Sequence, residues 1–520
     1  MRPITRFFSL FASLLLTLTL SANVSAQGRG QVIDSKGDEL FKARCYEKAT
    51  AQYLKAFAKS PSNKANPKLL KRITESILYS EMVRDTARYF ADLYLEFAKD
   101  DIEAYFLAAR AHYHAHDFDV ALQRLDSFMV RAETEEQLQA AEILNSWIRN
   151  GRRLMKDTLR NKMFNMGEEI NTVNNEINPF IINDDKTLVF SCDDKFDKDA
   201  IINVYNIKFS DHNDLSWTKA KKVTGPVNTP NDEYPSGATP EGMFFCSNKM
   251  GDFTLFTADY QGNGRFNNVV HLKDPIDLRG SEVSGCLTET GDTIYFSGTT
   301  LNGKLDLFYS IRTMNGKWME ARPVPGLINR DNSDENYPVL ARNGTRLYFA
   351  SDREGTMGGY DLFYSDFDFK KYEWGKPVQL KYPINDTYDN MSISFSSDER
   401  YAYVSLIRPD GFGGRDVYAI LNESVSPSSA IIRYTVKKKG ANKKYEGLKD
   451  QPNIEIRDMY GSLVAIETLN LRTSSFLVIL EPGRYKLKIN TTDKIDYEEE
   501  LYIEEFTYDN RPIEKELKIN

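Results

Sequence analysis

Sulfur and imidazole are scarce in this chain of 520 residues, which has four cysteines and five histidines. Cys45, Cys192, Cys246 and Cys286 are too few and too unevenly spaced for a disulfide framework, so four buried thiols are the expectation. There is no GxSxG elbow and no HExxH, and beyond residue 116 the only imidazoles are His212 and His271. The usual serine-hydrolase and zinc-peptidase signatures are therefore missing, and a Ser-His or Cys-His pair has few candidates. Basic charge is not in excess: 67 Lys and Arg stand against 75 Asp and Glu, a net charge of -8. That balance argues against nucleic acid as a general partner, since phosphate binding needs a basic face. After residue 26 no apolar run approaches the roughly 18 residues that a membrane helix needs.

The first 26 residues do carry such a run, but in the form of an export signal. Arg2 and Arg6 precede apolar Phe7 to Leu20, and Val24-Ser25-Ala26 precedes Gln27. The expectation is a mature chain outside the cytoplasm, and with Gln27 in place of a cysteine no lipid anchor is expected there.

Glycine is absent between Gly37 and Gly151, and residues 34–158 read as helical. Ala49, Ala87 and Ala121 recur at 38 and 34 residues, with Tyr46 and Phe118 three places before the first and third. A period near 34 with small residues where helices touch is the tetratricopeptide pattern. It predicts about three helix pairs and a closing helix, whose groove would hold a peptide or a partner's helix. His112, His114 and His116 form HxHxH, a spacing that can chelate zinc. No glutamate or cysteine nearby completes a site, so a helix end that happens to carry histidines is preferred and no metal is expected.

Residues 160–423 hold a unit repeated five times. Its anchors are Phe190, Phe245, Phe296, Phe349 and Val404, spaced by 55, 51, 53 and 55 residues, and its clearest copy is ENYPVLARNGTRLYFASDREGTMGGYDLFYS. Such a period marks propeller blades, small four-stranded sheets that must stack radially to bury both faces. The first four copies carry an aromatic near the start of the fourth strand (Trp217, Phe266, Trp318, Trp374), and the last does not. Lys162-Met-Phe-Asn, ahead of the first copy, is expected to complete the last blade and close the ring, removing exposed sheet edges. An acid or asparagine opens each copy: Glu176, Glu233, Glu282, Glu335 and Asn390. If that strand lines the central channel, these residues converge and could attract a cation or a basic peptide. The plainer expectation is that each accepts hydrogen bonds from the adjoining blade or from an arginine such as Arg353. Asp306, Asp361 and Asp416, which open the third strands, are expected to tie loops together.

Residues 430–520 alternate apolar and polar at period two, as in Tyr485-Lys-Leu-Lys-Ile, with turns at Asp458–Gly461 and Pro482-Gly483. Six or seven short strands predict a small β-sandwich. The fold class is thus multidomain α and β: an N-terminal TPR-like α-solenoid, a five-bladed β-propeller and a C-terminal β-sandwich.

The blade quoted above resembles the PD40 repeat, a WD40-like unit shared with TolB. The segment LEPGRYKLKI is similar to carboxypeptidase-regulatory-like sandwiches. In its order of parts the chain resembles the PorE-type envelope proteins of Bacteroidetes. That resemblance implies a periplasmic scaffold at the outer membrane, linked to type IX secretion. The family's OmpA-like peptidoglycan-binding domain has no counterpart before Asn520, so any link to peptidoglycan is expected to be indirect. The expected function is a non-catalytic adaptor without cofactors, binding envelope or secretion proteins through the TPR groove and the propeller face. The alternative is a ligand-binding protein sensing a glycan, a muropeptide or a cation at the propeller face.

Overall fold

The computed structural model describes residues 34–519, apart from 160–161, 184, 198–200, 213–216, 240, 274, 277, 279–280, 289, 342–343, 398, 422–429, 439–451, 471–473, 482, 492–493 and 504–512. The export signal expected at 1–26 and the linker expected at 424–429 lie outside the described residues. The chain divides into two compact units, one ending at Leu421 and the other beginning at Asn422.

The first unit opens with helices α1 (Ser35–Lys42), α2 (Tyr46–Lys59), the short α3 (Pro61–Lys64), α4 (Pro67–Tyr79), α5 (Ala87–Phe97), α6 (Ile102–His114), α7 (Phe118–Met129) and α8 (Glu135–Leu154). Local chemistry sets their starts. Asp34 accepts from the Gly37 amide, Asn66 caps α4 ahead of Pro67, and Thr134 with Gln137 forms a capping box on α8. The three alanines of the repeat, Ala49, Ala87 and Ala121, are fully buried, as small residues at helix crossings must be.

Five antiparallel sheets follow. Sheet one comprises Glu176–Ile182, Thr187–Asp197, Ile202–Asp211 and Lys221–Lys222, and sheet two Glu233–Ala238, Gly242–Ser247, Thr254–Tyr260 and Phe266–His271. Sheet three comprises Glu282–Leu287, Thr293–Thr299, Leu305–Ile311 and Arg322–Pro323. Sheet four comprises Glu335–Ala341, Arg346–Ser351, Asp361–Asp368 and Glu373–Trp374, with Val378–Gln379 also paired to its third strand. Sheet five comprises Ile393–Phe395, Tyr401–Ile407 and Arg415–Leu421, and its fourth strand is Met163–Asn165, paired antiparallel with Met163 opposite Ile420. The fourth strands are shorter than expected: Trp217 and Trp318 make single bridges to His212 and Arg312 ahead of the strands proper.

The first strands of the five sheets touch one another in cyclic order, sheet five meeting sheet one. In the first four sheets that strand carries a register shift just after its opening residue, a bulge that bends it where the sheets crowd together.

Among the described residues, side chains of the lead-in loops stitch four of the five junctions. Asn228 bonds both the amide and the carbonyl of Ile207 in the preceding sheet, at 2.8 and 2.9 Å. Asn329 does the same to Leu307, Asn385 to Leu362, and Asn171 to Val417, the last across the junction that closes the circle. A second set sits beside them: Asp232, Asp334, Asp389 and Asn175 accept from the amides of Tyr205, Leu305, Tyr360 and Arg415.

The second unit has two sheets. One orders Ser475–Leu480, Ala430–Lys438 and Ile513–Ile519, the last two parallel; the other orders Leu463–Thr468, Asn453–Asp458, Gly483–Thr491 and Lys494–Ile503. Ile432, Tyr434 and Val478 of the first sheet share a core with Ile454, Leu487 and Leu501 of the second. Glu499 ties them further, accepting from Lys515 and Tyr434. The turn expected at Asp458 is present, with Gly461 at φ 84 donating to the Asp458 carbonyl.

Candidate functional site

The repeated opening residues fall at equivalent places. Glu176, Glu233, Glu282 and Glu335 each begin the first strand of a sheet, opposite Cys192, Ser247, Gly298 and Ser351. Glu176, Glu233 and Glu335 are fully buried, and Asn390 nearly so. The partners of their side chains lie within their own sheet and its lead-in loop, while the backbone carbonyls of Glu176 and Glu233 accept from Ser405 and Ser191 of the adjoining sheet and the Asn390 amide donates to the Tyr360 carbonyl. Glu176 accepts from the Thr172 amide and hydroxyl and from Cys192; Glu233 accepts from the Thr229 amide and hydroxyl and from Ser247. Glu335 accepts from the Arg330 amide, Ser333, Ser351 and the Arg353 guanidinium at 3.1 Å. Asn390 bonds Asp386. Burial raises the carboxyls of Glu176 and Glu233. Of Glu282, only the strand position is described. These residues brace their own loops, and the structure does not gather the buried three at a solvent-facing channel.

Asp361 and Asp416 do tie loops. Asp361 accepts from the Met357 amide and Gln379, and Asp416 from the Phe412 amide and Asn165. The three histidines part company. His112 sits between Asp92 and Asp117, at 3.1 and 3.3 Å, and its pKa is raised chiefly by the Asp92 hydrogen bond. A cation there suits the C-terminal end of α6. His116 lies past the helix with φ 62 and meets Tyr382 edge-on, while His114 packs on Tyr388. Among the described residues no group of three or more His, Cys, Asp or Glu is arranged for a metal.

What the structure does bring together is the helical arm and the ring of sheets. The turns inside the helix pairs, with a few residues at the adjoining helix ends, make the contact. From the first turn and the start of α2, Cys45 donates to the Ile201 carbonyl and Lys48 to Asn203. From the second, the Arg84 amide donates to the Tyr388 hydroxyl, and Glu81 accepts from the Arg415 guanidinium at 2.7 Å. Gly414 lies at this crossing. A Cβ there would meet the Asn175 side-chain oxygen at 2.1 Å and the Glu81 carbonyl at 2.6 Å, so only glycine fits. Near the end of α8, Asn150 donates to the Thr356 carbonyl, and beyond it Asp157 pairs with Lys381.

Between arm and ring this docking leaves a partly open cavity of about 290 Å³. The arm contributes Arg84, Arg110 and His114, with Tyr46, Tyr79 and Trp147; the ring contributes Asp193, Asp334, Asp352, Thr387, Tyr388 and Arg415. Sequence reading missed the cavity. Its residues lie far apart in the chain and share no motif, although the departures of sheet four from its sister copies were there to be seen.

The electrostatics are uneven. Arg84 Nη1 contacts His114 Nε2 at 3.3 Å. An arginine only donates, so Nε2 accepts and the proton of the neutral ring is on Nδ1. Burial, reinforced by Arg84 and Arg110, holds His114 well below the ordinary imidazole pKa. Burial and then the neighbouring Asp334 push the Asp352 carboxyl up to about 7.

No protein-family model matches the chain. No curated protein matches it either. Solved structures that resemble it include TolB from Acinetobacter baumannii, at 14% identity and TM-score 0.31, covering 48% of this chain and 55% of that one. A thermostable family-43 glycoside hydrolase matches at 11% and 0.33, covering 49% and 91%, and the periplasmic gluconolactonase of Pseudomonas aeruginosa at 10% and 0.28, covering 63% and 85%. The chain thus spans about 55% of the length of the Acinetobacter TolB. A glycoside hydrolase stands beside a TolB in this set, so the likenesses do not choose between an enzyme and a binding protein.

Proposed function

We propose that this chain is a non-catalytic periplasmic scaffold that holds protein partners at fixed spacing at the outer membrane, in connection with type IX secretion. In this reading the helical arm is a TPR-like solenoid. The five sheets are the blades of a five-bladed PD40-type propeller, and the second unit is a carboxypeptidase-regulatory-like sandwich. One observation carries it: the arm is locked to the ring through the turns of its helix pairs, above all by Arg415 on Glu81. Docking by the turns leaves the helix faces for other proteins, and Leu54, Tyr89, Phe97 and Leu138 on the arm are exposed apolar residues. A pre-formed surface loses little conformational entropy when a partner binds, which suits an adaptor. No helix among the described residues is long and apolar enough to cross a membrane.

The test is a photo-crosslinking amino acid placed at Tyr89 or Phe97 in the native host. Crosslinks from these positions to envelope or secretion proteins, lost when Phe97 is replaced by aspartate, support the adaptor. Absence of crosslinks at both sites, or fractionation of the chain with the cytoplasm, refutes it.

The cavity between arm and ring favours a second reading, a receptor for a small ligand at the ring face. Aromatic walls with a few charged groups are the usual make-up of such sites.

A further inference from the structure

Among the described residues, four buried polar atoms with no hydrogen-bond partner within the protein belong to side chains that line this cavity: Arg110 Nε, His114 Nδ1, Asp352 Oδ2 and Thr387 Oγ1. All four residues are at least nine-tenths buried except Asp352, which is half-buried as a residue although this oxygen is fully shielded. Buried polar groups are nearly always met by a partner, and leaving one unmet costs roughly 1–3 kcal/mol. Such a cluster around one partly open cavity points to something that enters it.

The orphan carboxylate oxygen arises where the repeat breaks its own symmetry. In sheet one the corresponding acid is Asp193, and both its oxygens are used: Oδ1 by the Asn175 amide, Oδ2 by the side-chain amides of Asn175 and Asn203. In sheet four the residue matching Asn175 is Asp334, which has no side-chain N–H. Its backbone amide reaches Asp352 Oδ1 at 2.7 Å, and nothing reaches Oδ2. Among the side chains that line the cavity, the ring thus contributes an unpaired acceptor, Asp352 Oδ2, and the arm two unpaired donors, Arg110 Nε–H and His114 Nδ1–H.

This pairing of opposites selects the ligand. An inorganic anion satisfies the arm wall but sets negative charge against Asp352. A lone cation does the reverse, and a neutral sugar offers an opposite charge to neither. The geometry points to a small zwitterion, an amino acid or a dipeptide, with its carboxylate on Arg110 and His114 and its ammonium on Asp352. At about 290 Å³ the cavity is at the small end of ligand sites. Tyr46, Tyr79 and Tyr388 offer side-chain contacts. This assignment rests on the second reading above, that the ring face receives a small ligand.

The experiment is titration calorimetry of the full mature chain with L-alanyl-L-alanine and L-alanine. N-acetyl-L-alanine lacks the ammonium and L-alaninamide the carboxylate; glucuronate and N-acetylglucosamine serve as sugar probes. Saturable binding of a zwitterion is expected, with each blocked analogue weaker by about tenfold or more. Asp352→Asn should weaken the zwitterion and leave N-acetyl-L-alanine unchanged, and Arg110→Gln should weaken both. If Arg110→Gln does not fold, Asp352→Asn and the blocked analogues decide alone. No binding of either zwitterion up to roughly 10 mM, or equal binding of the blocked analogues, overturns the assignment. Binding of a sugar probe alone overturns the zwitterion and keeps the small-ligand reading. Silence from every probe removes both.

Discussion

Replacing Asn171 by alanine should loosen the closed ring of sheets more than its chemistry at a surface would suggest. Its side chain accepts from the Val417 amide at 2.8 Å and donates to the Val417 carbonyl at 3.0 Å; Val417 is fully buried and Asn171 has 2% exposure. Alanine strands the Val417 amide, while the carbonyl keeps the Met166 amide as donor. A stranded amide costs roughly 1–3 kcal/mol when water cannot follow, so a loss of about 1–3 kcal/mol is expected. Asn385→Ala strands the Leu362 amide at an equally buried site, the carbonyl keeping the Leu380 amide, and should cost as much, whereas half-buried Asn228 and Asn329 should cost less. Asn171 has a further role, because it also donates to Asn165 in the three-residue strand that completes sheet five. Only Asn171→Ala should therefore speed hydrogen exchange across 162–172. Urea unfolding followed by tryptophan fluorescence reads this cleanly: Trp147, Trp217, Trp318 and Trp374 are the only tryptophans and all precede residue 422. Midpoints are compared rather than extrapolated energies, since so large a unit need not unfold in two states. A wild-type midpoint and unchanged exchange for Asn171→Ala would refute the idea that side-chain stitching closes the circle. Equal losses at all four asparagines would show that burial does not set the cost.

Breaking the arm's anchor by Arg415→Met or Glu81→Gln should cost stability in each case. A double-mutant cycle should give a coupling of about 1–2 kcal/mol, moderated by the partial exposure of Glu81; a cycle with no coupling removes the anchor. The four thiols should ignore Ellman's reagent at pH 8 and react fully only after denaturation, because burial raises all of them and pushes Cys286 up to about 12; prompt reaction of any one contradicts its placement. Burial pushes the Asp361 carboxyl up to about 8 from 3.8. A raised carboxyl binds its proton more tightly in the folded state, so its stabilising effect is complete below 3.8 and is lost as pH rises through about 8. The unfolding midpoint should accordingly rise as pH falls from about 9 to 7, and Asp361→Asn should flatten that slope. Below 6.5 the buried neutral His114 acts in the opposite sense, because the unfolded chain then binds a proton that the folded one refuses.

Periodicity made the architecture legible and left the site opaque. The anchors Phe190, Phe245, Phe296, Phe349 and Val404 lie in the second strand of successive sheets and are all fully buried, because a residue repeated at the same step meets the same neighbours each time. The strand around Phe164 could be read ahead of the first copy for a related reason, since sheet five lacks a strand that every other copy has. Repetition likewise marks Glu176, Glu233 and Glu335, whose side chains each accept hydrogen bonds from their own lead-in loop; the sequence left open whether they serve the fold or a ligand. The asparagines at 171, 228, 329 and 385 repeat just as plainly, in Ile-Asn or Val-Asn pairs, and went unread because an amide draws less notice than a charge. Glycines cluster at 355–359 and 411–414, and the reason for them is tertiary. A Cβ at Gly359 would strike Asp389 at 1.9 Å, a contact that local sequence does not reveal.

Closure of the ring and docking of the arm meet at one place, and this makes them interdependent. The Arg415 amide donates to Asn175 in the lead-in loop of sheet one, while its side chain holds Glu81 of the arm and the Asp389 carbonyl. Gly414, next in line, is pressed between that loop and the arm backbone. Opening the junction shifts the strand that carries the anchor, and lifting the arm uncovers the junction. Changes on the two sides should therefore fail to add: Glu81→Gln combined with Asn171→Ala should cost less than the two apart, although the residues share no direct bond. Strict additivity would mean that arm and ring are independent bodies in contact. A scaffold built on fixed spacing between them would then lose its physical basis.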